Sequence, residues 1–282
     1  MGERRQRERR RRWDGTAAAS TGARVLLIEP HEDTRVLYAS LFEDAGLAVY
    51  ATANGADAIA TVGTLLPDIV VMEMAVPGAD GFEILHALRK EPTTADIPAV
   101  VVTSILHFDV PQRARESGAT VVLCKPTSIA SVLDGVTELI KGTPDDRLAR
   151  RQLRRSLLTL RNVASRMDVD ASAKERVRAL IDRLQIAVMG IDDHGRYVAA
   201  SAGAEALTGY TRSELLAMSV FDATLGADLP LARRWEAVVS SRHVPETATI
   251  RVKSGRTVTV QSLIAPIVPG LHAAAFSVAG AV

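Results

Sequence analysis

The sequence predicts two domains: a doubly wound α/β domain with a five-stranded parallel sheet, and a separate α+β domain with an antiparallel sheet. The chain has 282 residues, and domains of about 100–200 residues are typical. Apolar residues make up 47% of it and charged residues 24%, so each domain can bury a core. Apolar runs alternate with helical patterns in the first half, whereas two strands, short helices and three more strands follow in the second.

The composition argues against a secreted or membrane-spanning protein. A single cysteine excludes an intramolecular disulfide framework and favours a reducing compartment. No apolar run reaches the roughly 18 residues of a spanning helix, and the basic N-terminus is not followed by the apolar stretch of a secretory signal. We therefore expect a cytoplasmic protein without a membrane span.

The net charge of +1 conceals a strong segregation of charge along the chain. Residues 1–12 hold seven arginines, residues 25–140 hold 16 acidic against six basic side chains, and residues 147–166 hold seven arginines and no acid. Residues 1–22 lack apolar periodicity and are predicted to form a basic disordered arm. We interpret this arm as a solvated tail rather than a nucleic-acid or lipid-binding segment, because it has no interleaved aromatics beyond Trp13.

The first predicted domain covers residues 23–142. Its apolar runs are rich in Val, Ile and Leu, which is typical of parallel strands buried on both faces. Strands are predicted at Val25–Ile28, Leu47–Ala51, Ile69–Met72, Ala99–Thr103 and Thr120–Cys124. Helical patterns lie between them, and we expect Asp33 to cap the first helix and Gly46 to end it.

Polar side chains lie where these strands end, and ligand sites of parallel sheets form at the carboxyl ends of strands. The side chains are Glu29, Glu32, Glu73, Thr103, Ser104 and Lys125. This set suits a phosphoryl group, because carboxylates bind a metal ion while a lysine and a hydroxyl contact phosphate oxygens.

Short motifs follow one another through this domain in a specific order. They are Pro67-Asp68-Ile69-Val70-Val71, Pro77-Gly78-Ala79-Asp80-Gly81-Phe82, Ile97-Pro98, Thr103, Gly118-Ala119 and Lys125-Pro126. With this order and spacing, residues 24–140 resemble the receiver domain of two-component response regulators. The resemblance implies that Glu73 occupies the phospho-acceptor position and that Glu29 and Glu32 form an acidic pocket. It also implies that Thr103 and Lys125 are the phosphate-contact and switch residues.

The departures from the family's pattern lie at the acceptor and at the metal site. Pro30 stands where the second member of an acidic pair normally ligates magnesium, so we expect no metal. Glu73 replaces the acceptor aspartate and is longer by one C–C bond of about 1.5 Å, which pushes its carboxylate into the space of a metal or phosphoryl group. Val122 replaces the aromatic switch residue of the fifth strand.

Two interpretations of Glu73 follow. In a pseudo-receiver, Glu73 pairs with Lys125 and holds the pocket in one state without phosphate, because phosphoryl transfer depends on positioning and charge neutralisation. In the other interpretation, the same two residues form a partly buried structural ion pair without signalling meaning. The residues favour neither.

Two reactive side chains near this pocket are given structural roles. Cys124 is predicted to be a small core residue of the fifth strand rather than a reactive thiol. His31 is predicted to be a solvated loop residue rather than a metal ligand. No catalytic residue is therefore assigned.

A helical linker is predicted over residues 143–170. Its helix, residues 145–167, carries an apolar stripe with 4-3-4-3 spacing formed by Leu153, Leu157, Leu160, Ala164 and Met167. We favour a homodimer through residues 147–167 over a helix that packs on its own domains. The seven arginines would repel across a symmetric dimer unless they meet the acidic surface of the first domain.

The second predicted domain covers residues 171–282. Ser172-Ala173-Lys174-Glu175 has the form of a capping box and opens a helix that runs to Gln185. Strands are predicted at Ile186–Asp192, Arg196–Ala200, Ala248–Lys253, Thr257–Ile267 and His272–Val278, and helices at Ala204–Leu207, Arg212–Met218 and Leu231–Ser241.

Three stretches of this domain carry a second resemblance. They are Ile191-Asp192-Asp193-His194-Gly195-Arg196, Ala206-Leu207-Thr208-Gly209-Tyr210-Thr211-Arg212-Ser213-Glu214-Leu215-Leu216 and Lys253-Ser254-Gly255-Arg256-Thr257-Val258. They resemble the PAS sensory fold, which implies either a small molecule in the cup of the sheet or a dimerising relay module. A flavin–thiol photosensor is excluded because the only cysteine lies elsewhere. Haem is not expected because His194, His243 and His272 do not point into the cup in this interpretation.

We therefore predict no cofactor, and an unknown apolar ligand or a packed core both fit the cup. The predicted function is intracellular signal transduction of the two-component type by a non-enzymatic, atypical response regulator. It would act through contacts with a sensor histidine kinase or another signalling protein. The alternatives are a functional phospho-acceptor, or a PAS ligand sensor with the receiver as a docking module.

Overall fold

A computed structural model of the chain describes residues 22–105, 109–140, 142–166, 172–225, 235–236, 239 and 246–278. These residues form two compact units. The first comprises the described residues up to 58 together with 67–85 and 98–144, and the second comprises 59–66, 86–97 and the described residues from 145 onward. None of the described helices is long and apolar enough to cross a membrane. The predicted arm, apart from Gly22, lies outside the described residues.

The first unit contains a five-stranded parallel sheet with the strand order β2-β1-β3-β4-β5. Its strands are β1 (Arg24–Ile28), β2 (Ala48–Thr52), β3 (Ile69–Met72), β4 (Ala99–Thr103) and β5 (Val121–Cys124). The sequence prediction of this sheet is confirmed, with every strand boundary within one residue.

Five helices follow these strands in alternation. They are α1 (Glu32–Asp44), α2 (Gly55–Leu65), α3 (Gly81–Lys90), α4 (Val110–Glu116) and α5 (Ile129–Leu139). The prediction that Asp33 caps α1 is wrong, because His31 holds the N-cap position and Asp33 lies in the first turn. There its carboxylate still faces the positive end of the helix dipole. Gly46 follows the end of α1 with φ +80°, as expected for a residue that terminates a helix.

The central strands of the sheet are buried on both faces. Val25, Leu27 and Val71 pack with Phe42 of α1 and Val132 of α5 on one face. The alternate positions of β1 and β3 are also at most 1% exposed; they are Leu26, Ile28, Val70 and Met72. This double burial explains why the strands appear in the sequence as continuous apolar runs.

The edge strand β5 is less buried than predicted. Val121, Val122 and Leu123 are half-buried, and Cys124 is exposed. The prediction that Cys124 is a core residue is therefore wrong. An edge strand has a neighbour on one side only, so its last residue can face solvent.

The second unit contains a six-stranded antiparallel sheet with the order β7-β6-β11-β10-β9-β8. Its strands are β6 (Ala187–Ile191), β7 (Tyr197–Ala200), β8 (Thr224–Leu225), β9 (Glu246–Arg251), β10 (Thr257–Val268) and β11 (Leu271–Val278). The predicted order of two strands, short helices and three strands is confirmed. The two-residue strand β8 is an addition, too short to give a sequence signal.

Five further helices are described. They are α6 (Pro144–Ser165), α7 (Ala173–Ile181), α8 (Ala202–Thr208), α9 (Arg212–Leu215) and α10 (Val220–Ala223). Helix α7 ends four residues before the predicted Gln185, and its N-cap Ser172 makes no side-chain capping bond. The predicted helix over residues 231–241 lies outside the described residues except at Trp235, Glu236 and Val239.

The leucine stripe of α6 is buried within its own unit. Leu153, Leu157, Leu160 and Ala164 are at most 4% exposed. They share a core with Val177 and Ile181 of α7 and with one face of the sheet, including Leu263, Ala265 and Ala273. The stripe thus follows the interpretation we did not favour, a helix that packs within its own chain. A homodimer through residues 147–167 would have to use other faces of α6, and Met167 lies outside the described residues.

Candidate functional site

Four polar side chains meet at the carboxyl end of the parallel sheet. Glu29 follows β1, Glu73 follows β3, Thr103 ends β4, and Lys125 follows β5. The first three side chains belong to residues that are at most 5% exposed, and the Lys125 side chain is 22% exposed. Because β1, β3, β4 and β5 are consecutive in the sheet, strand order alone places these residues next to one another.

Lys125 forms two ion pairs in this cluster. Its Nζ lies 2.8 Å from Oε2 of Glu29 and 3.1 Å from Oε2 of Glu73. Sequence reasoning proposed the pair with Glu73 but missed the pair with Glu29. One ammonium is therefore shared between two buried carboxylates, and each acid already uses its Oε2 to bind it.

Glu73 accepts hydrogen bonds from three further groups. The backbone N–H of Met74 donates to Oε1 at 2.8 Å. The backbone N–H and the hydroxyl of Ser104 donate to Oε2 at 3.1 and 3.3 Å. Thr103 lies close to the same carboxylate, and its hydroxyl lowers the pKa of Glu73. We call Glu29, Glu73, Thr103, Ser104 and Lys125 the Glu73 pocket.

The charge state of the pocket follows from these contacts. Burial raises the pKa of the Glu73 carboxyl, but the hydrogen bonds from Thr103, Met74 and Lys125 outweigh it, so the pKa lies below its usual 4.5. Burial lowers the pKa of Lys125, but its bonds to the two glutamates outweigh it, so the pKa lies above its usual 10.5. The Glu73–Lys125 pair is therefore charged throughout the neutral range.

This linkage predicts an acid-sensitive fold. The Glu73 carboxylate contributes its full stabilisation above pH 4.5, its ordinary pKa, and the contribution is lost as the pH falls through the lower pKa of the folded chain. We expect urea unfolding between about pH 3 and 6 to show that the free energy of unfolding falls more steeply with decreasing pH in the native chain than in Glu73→Gln. Glu116→Gln, which removes an exposed carboxylate, should keep the native profile. Identical profiles for native and Glu73→Gln chains would contradict this assignment.

Arg35 is a contact that sequence reasoning missed. Its Nη1 donates to the backbone carbonyls of Glu29 at 2.8 Å and of Pro30 at 3.0 Å. On the same turn the N–H of His31 donates to Oε1 of Glu29 at 3.0 Å. The segment after β1 is thereby fixed, and a second cation lies next to the acidic residues.

These contacts do not fit a magnesium ion, which the receiver resemblance implies. A hard cation needs several free oxygen ligands. Both buried carboxylates here bind Lys125, and the Pro30 carbonyl accepts from Arg35. Over the described ranges, no group of three or more acidic, His or Cys side chains could hold a metal.

Two predicted residues are not among the five that define the Glu73 pocket. Glu32 is the first residue of α1 and is exposed, so its place in an acidic pocket stays a prediction. Val122 is half-buried within β5 and has no ring to reorient.

In the second unit, His272 differs from the sequence expectation. It is 4% exposed and lies on the face of β11 that it shares with Ala274. Ala274 belongs to the apolar cluster of the cup, and the His272 ring lies 5.5 Å edge-on from the ring of Trp235 in that cluster. Nε2 of His272 lies 3.1 Å from Oδ1 of Asp193, whereas its buried Nδ1 has no hydrogen-bond partner among the described residues. The expectation that His272 points away from the cup is therefore wrong.

Family comparisons match the two parts of the chain separately. The response regulator receiver domain matches residues 25–137, and the PAS fold matches residues 175–274. Both resemblances inferred from the motifs are confirmed.

Known relatives match mainly the first part of the chain. Sporulation initiation phosphotransferase F of Bacillus subtilis is 29% identical over 117 residues, which are 42% of this chain and 93% of that protein. Protein PilH of Pseudomonas aeruginosa is 27% identical over 120 residues, 43% of this chain and 99% of that protein. Response regulator PleD of Caulobacter vibrioides is 32% identical over 187 residues, 65% of this chain but 38% of that protein.

Solved structures also align with this part. The receiver domain of a Francisella response regulator is 23% identical, with a TM-score of 0.40, and covers 42% of this chain and 97% of that structure. The BeF3-activated receiver domain of Klebsiella pneumoniae RstA is 22% identical, with a TM-score of 0.40, and covers 42% of this chain and 99% of that structure.

Proposed function

Since the chain carries a response regulator receiver domain followed by a PAS domain, we propose that it is an atypical response regulator with a pseudo-receiver. Two-component signalling is the function that this domain pair indicates. In our proposal, the receiver does not cycle through phosphorylation. It presents one state to a sensor kinase or another signalling protein, and the output of the described domains is protein–protein contact rather than catalysis.

The observation that carries the proposal is the engagement of the Glu73 carboxylate. Of the two residues that resemble phosphate contacts, Lys125 already forms an ion pair with Glu73, and the Thr103 hydroxyl lowers the pKa of its carboxyl. The backbone N–H groups of Met74 and Ser104 bind the same carboxylate. Glu73 thus takes up the donors that a transferred phosphoryl group would need.

Charge supports the same conclusion. A phosphoryl group brings negative charge that the pocket must neutralise during transfer. The single lysine of the pocket is already paired with Glu29 and Glu73 at 2.8 and 3.1 Å. Pro30 supplies no side-chain oxygen for a metal ion that could add positive charge.

Intact-mass spectrometry after incubation with magnesium and acetyl phosphate tests this proposal. We expect no phosphoryl adduct on the native chain, because the acceptor position lacks both a metal site and free phosphate contacts. The Glu73→Asp/Pro30→Asp variant shortens the acceptor and restores a second acidic side chain, so we expect it to gain the mass of one phosphoryl group.

Two controls make the mass result specific. The Glu73→Asp change alone separates the acceptor length from the metal ligand. The Glu116→Gln variant reports on unrelated carboxylates. An adduct on the native chain that disappears in Glu73→Gln would overturn the pseudo-receiver and establish a working phospho-acceptor.

A second candidate function, a ligand sensor, is favoured by His272. Nδ1 of the buried His272 has no hydrogen-bond partner within the described part of the chain, which is costly, and a polar ligand group would satisfy it. In that case the PAS domain would receive the signal and the receiver would dock. Native mass spectrometry of the purified chain should then detect a small molecule that is lost in His272→Leu, and its absence would leave the first proposal alone.

A further inference from the structure

Helix α6 carries a second stripe next to the leucines. With the same 4-3-4-3 spacing it contains Arg147, Arg151, Arg154, Leu158 and Arg161. Arg151 and Arg154 are only 8% and 2% exposed, although arginine is rarely buried without a partner. The stripe therefore packs against other residues of the chain instead of facing solvent.

The arginines meet acids of the segment 86–97, which belongs to the same compact unit as α6. Nη2 of Arg154 lies 2.7 Å from Oδ2 of Asp96, and these side chains are 3% and 14% exposed. One helical repeat later, Arg161 forms an ion pair with Glu91. We call these two pairs the α6 clamp.

The segment that carries the two acids is held by its own hydrogen bonds. Nη1 of Arg89 donates to the carbonyls of Ala95 and Ile97, both at 2.9 Å. The hydroxyl of the fully buried Thr94 donates to the Leu88 carbonyl at 2.9 Å. Because these hydrogen bonds hold the segment together, a displacement of Glu91 or Asp96 would move the whole segment.

Both ends of this segment lead along the chain to Glu73. On the N-terminal side, α3 begins at Gly81, whose N–H donates to the Met74 carbonyl at 2.9 Å, and the Met74 N–H in turn donates to Glu73. On the C-terminal side, β4 ends at Thr103, and the next residue, Ser104, donates its backbone N–H and its hydroxyl to the Glu73 carboxylate. The clamped segment therefore lies between the two chain segments that hold Glu73.

We infer that α6 couples the PAS sheet to the Glu73 pocket through the α6 clamp. The leucine face of α6 packs on the sheet of the second unit, and its arginine face holds the segment 86–97. A change in the sheet that shifts α6 would thus act on the contacts of Glu73, and a change at Glu73 would act back on α6 with equal coupling free energy. The inference rests on the proposed function, because it assigns regulation to the pseudo-receiver pocket.

Hydrogen–deuterium exchange of the full-length chain tests the coupling. The amides of Met74 and Ser104 are hydrogen-bonded by Glu73, so their exchange reports on the pocket directly. In Arg154→Ala we expect exchange in segment 86–97 and at these two amides to rise roughly five- to tenfold, a typical size for coupling between sites. The matched control is Arg155→Ala on the same helix, where the side chain is exposed and exchange should stay native.

The charge-swapped variant Arg154→Asp/Asp96→Arg should restore part of the protection at Met74 and Ser104. If Arg154→Ala fails to fold, Arg161→Ala breaks the more exposed pair and should give the same pattern with smaller amplitude. Faster exchange confined to α6 and segment 86–97 would reduce the clamp to a structural contact and overturn the inference, as would native exchange in every variant. A phosphoryl adduct on the native chain would overturn the proposed function but leave this exchange pattern unchanged.

Discussion

Replacing Lys125 by methionine is expected to destabilise the first compact unit by about 3 kcal/mol. The change leaves Glu29 and Glu73 buried without a counter-ion, and removal of one partner from a buried ion pair costs about 3–5 kcal/mol. We take the lower end of this range because the lysine side chain is 22% exposed. Urea unfolding with hydrogen exchange at the β1 and β3 amides measures the loss in this unit.

The sign of the pH dependence separates this effect from simple loss of packing. Without the ammonium, the buried carboxylates are stabilised by protonation, so the deficit of Lys125→Met should shrink as the pH falls. Adding Glu29→Gln and Glu73→Gln should recover part of the stability, because no uncompensated charge remains.

Lys253→Met provides the matched control for Lys125. Its ammonium also contacts a carboxylate, Glu214, at 2.7 and 2.8 Å, but both side chains are more than 40% exposed. Exposed pairs contribute little, so we expect almost no change in stability. Equal effects of the two substitutions would contradict the buried pocket.

The second large effect is expected for Leu157→Ala in α6. Leu157 is fully buried in the core of the second unit, and a leucine-to-alanine change at such a site costs about 2–5 kcal/mol. Urea unfolding followed by exchange at the β6 and β11 amides should detect this loss. Val163 lies on the same helix and is 36% exposed, so Val163→Ala should change the stability only slightly.

This experiment also distinguishes a core helix from a dimer helix. If the leucine stripe packs only within its own chain, Leu157→Ala lowers stability at every protein concentration and leaves the sedimentation coefficient unchanged. If Leu157→Ala keeps the stability of the unsubstituted chain but loses a dimer that sedimentation detects, the stripe is instead a contact between two chains.

The parallel sheet could be predicted because each of its strands is one short, continuous apolar run, as expected for strands buried on both faces. Continuous apolar runs such as Ile69–Met72 leave little ambiguity in strand position, and the strand-end rule then placed Glu73, Thr103 and Lys125 at one edge. The order of strands and helices in the second domain could likewise be predicted from its turns, such as Ser254-Gly255 and Gly209.

Contacts between segments distant in sequence could not be predicted from the chain alone. Lys125 and Glu29 are 96 positions apart and Arg154 and Asp96 are 58 apart, so no periodicity relates them. The arginine stripe of α6 shares its spacing with the leucines, but sequence offers no rule for which polar face of a helix is buried. The charge segregation did supply a signal, since a basic helix favours contact with acidic side chains elsewhere in the chain.

Two errors have simple physical origins. The prediction for Cys124 rests on its place inside the fifth strand, but the position of β5 at the sheet edge exposes it. His272 was set aside because it lies near the start of its strand. The alternation of β11 nevertheless turns it to the same face as Ala274 and Phe276.

Occupation of the phosphate contacts by Glu73 is the central claim, and binding of beryllofluoride, a phosphoryl analogue, tests it at equilibrium. Unlike an acyl phosphate, which can hydrolyse before its mass is recorded, the analogue is read while bound. We propose to follow the Met74 and Ser104 amide resonances as magnesium and beryllofluoride are added. The prediction is unchanged resonances in the native chain and shifted resonances in Glu73→Asp/Pro30→Asp. Saturable shifts in the native chain that are absent from Glu73→Gln would contradict it, since they would mean that the pocket accepts a phosphoryl group.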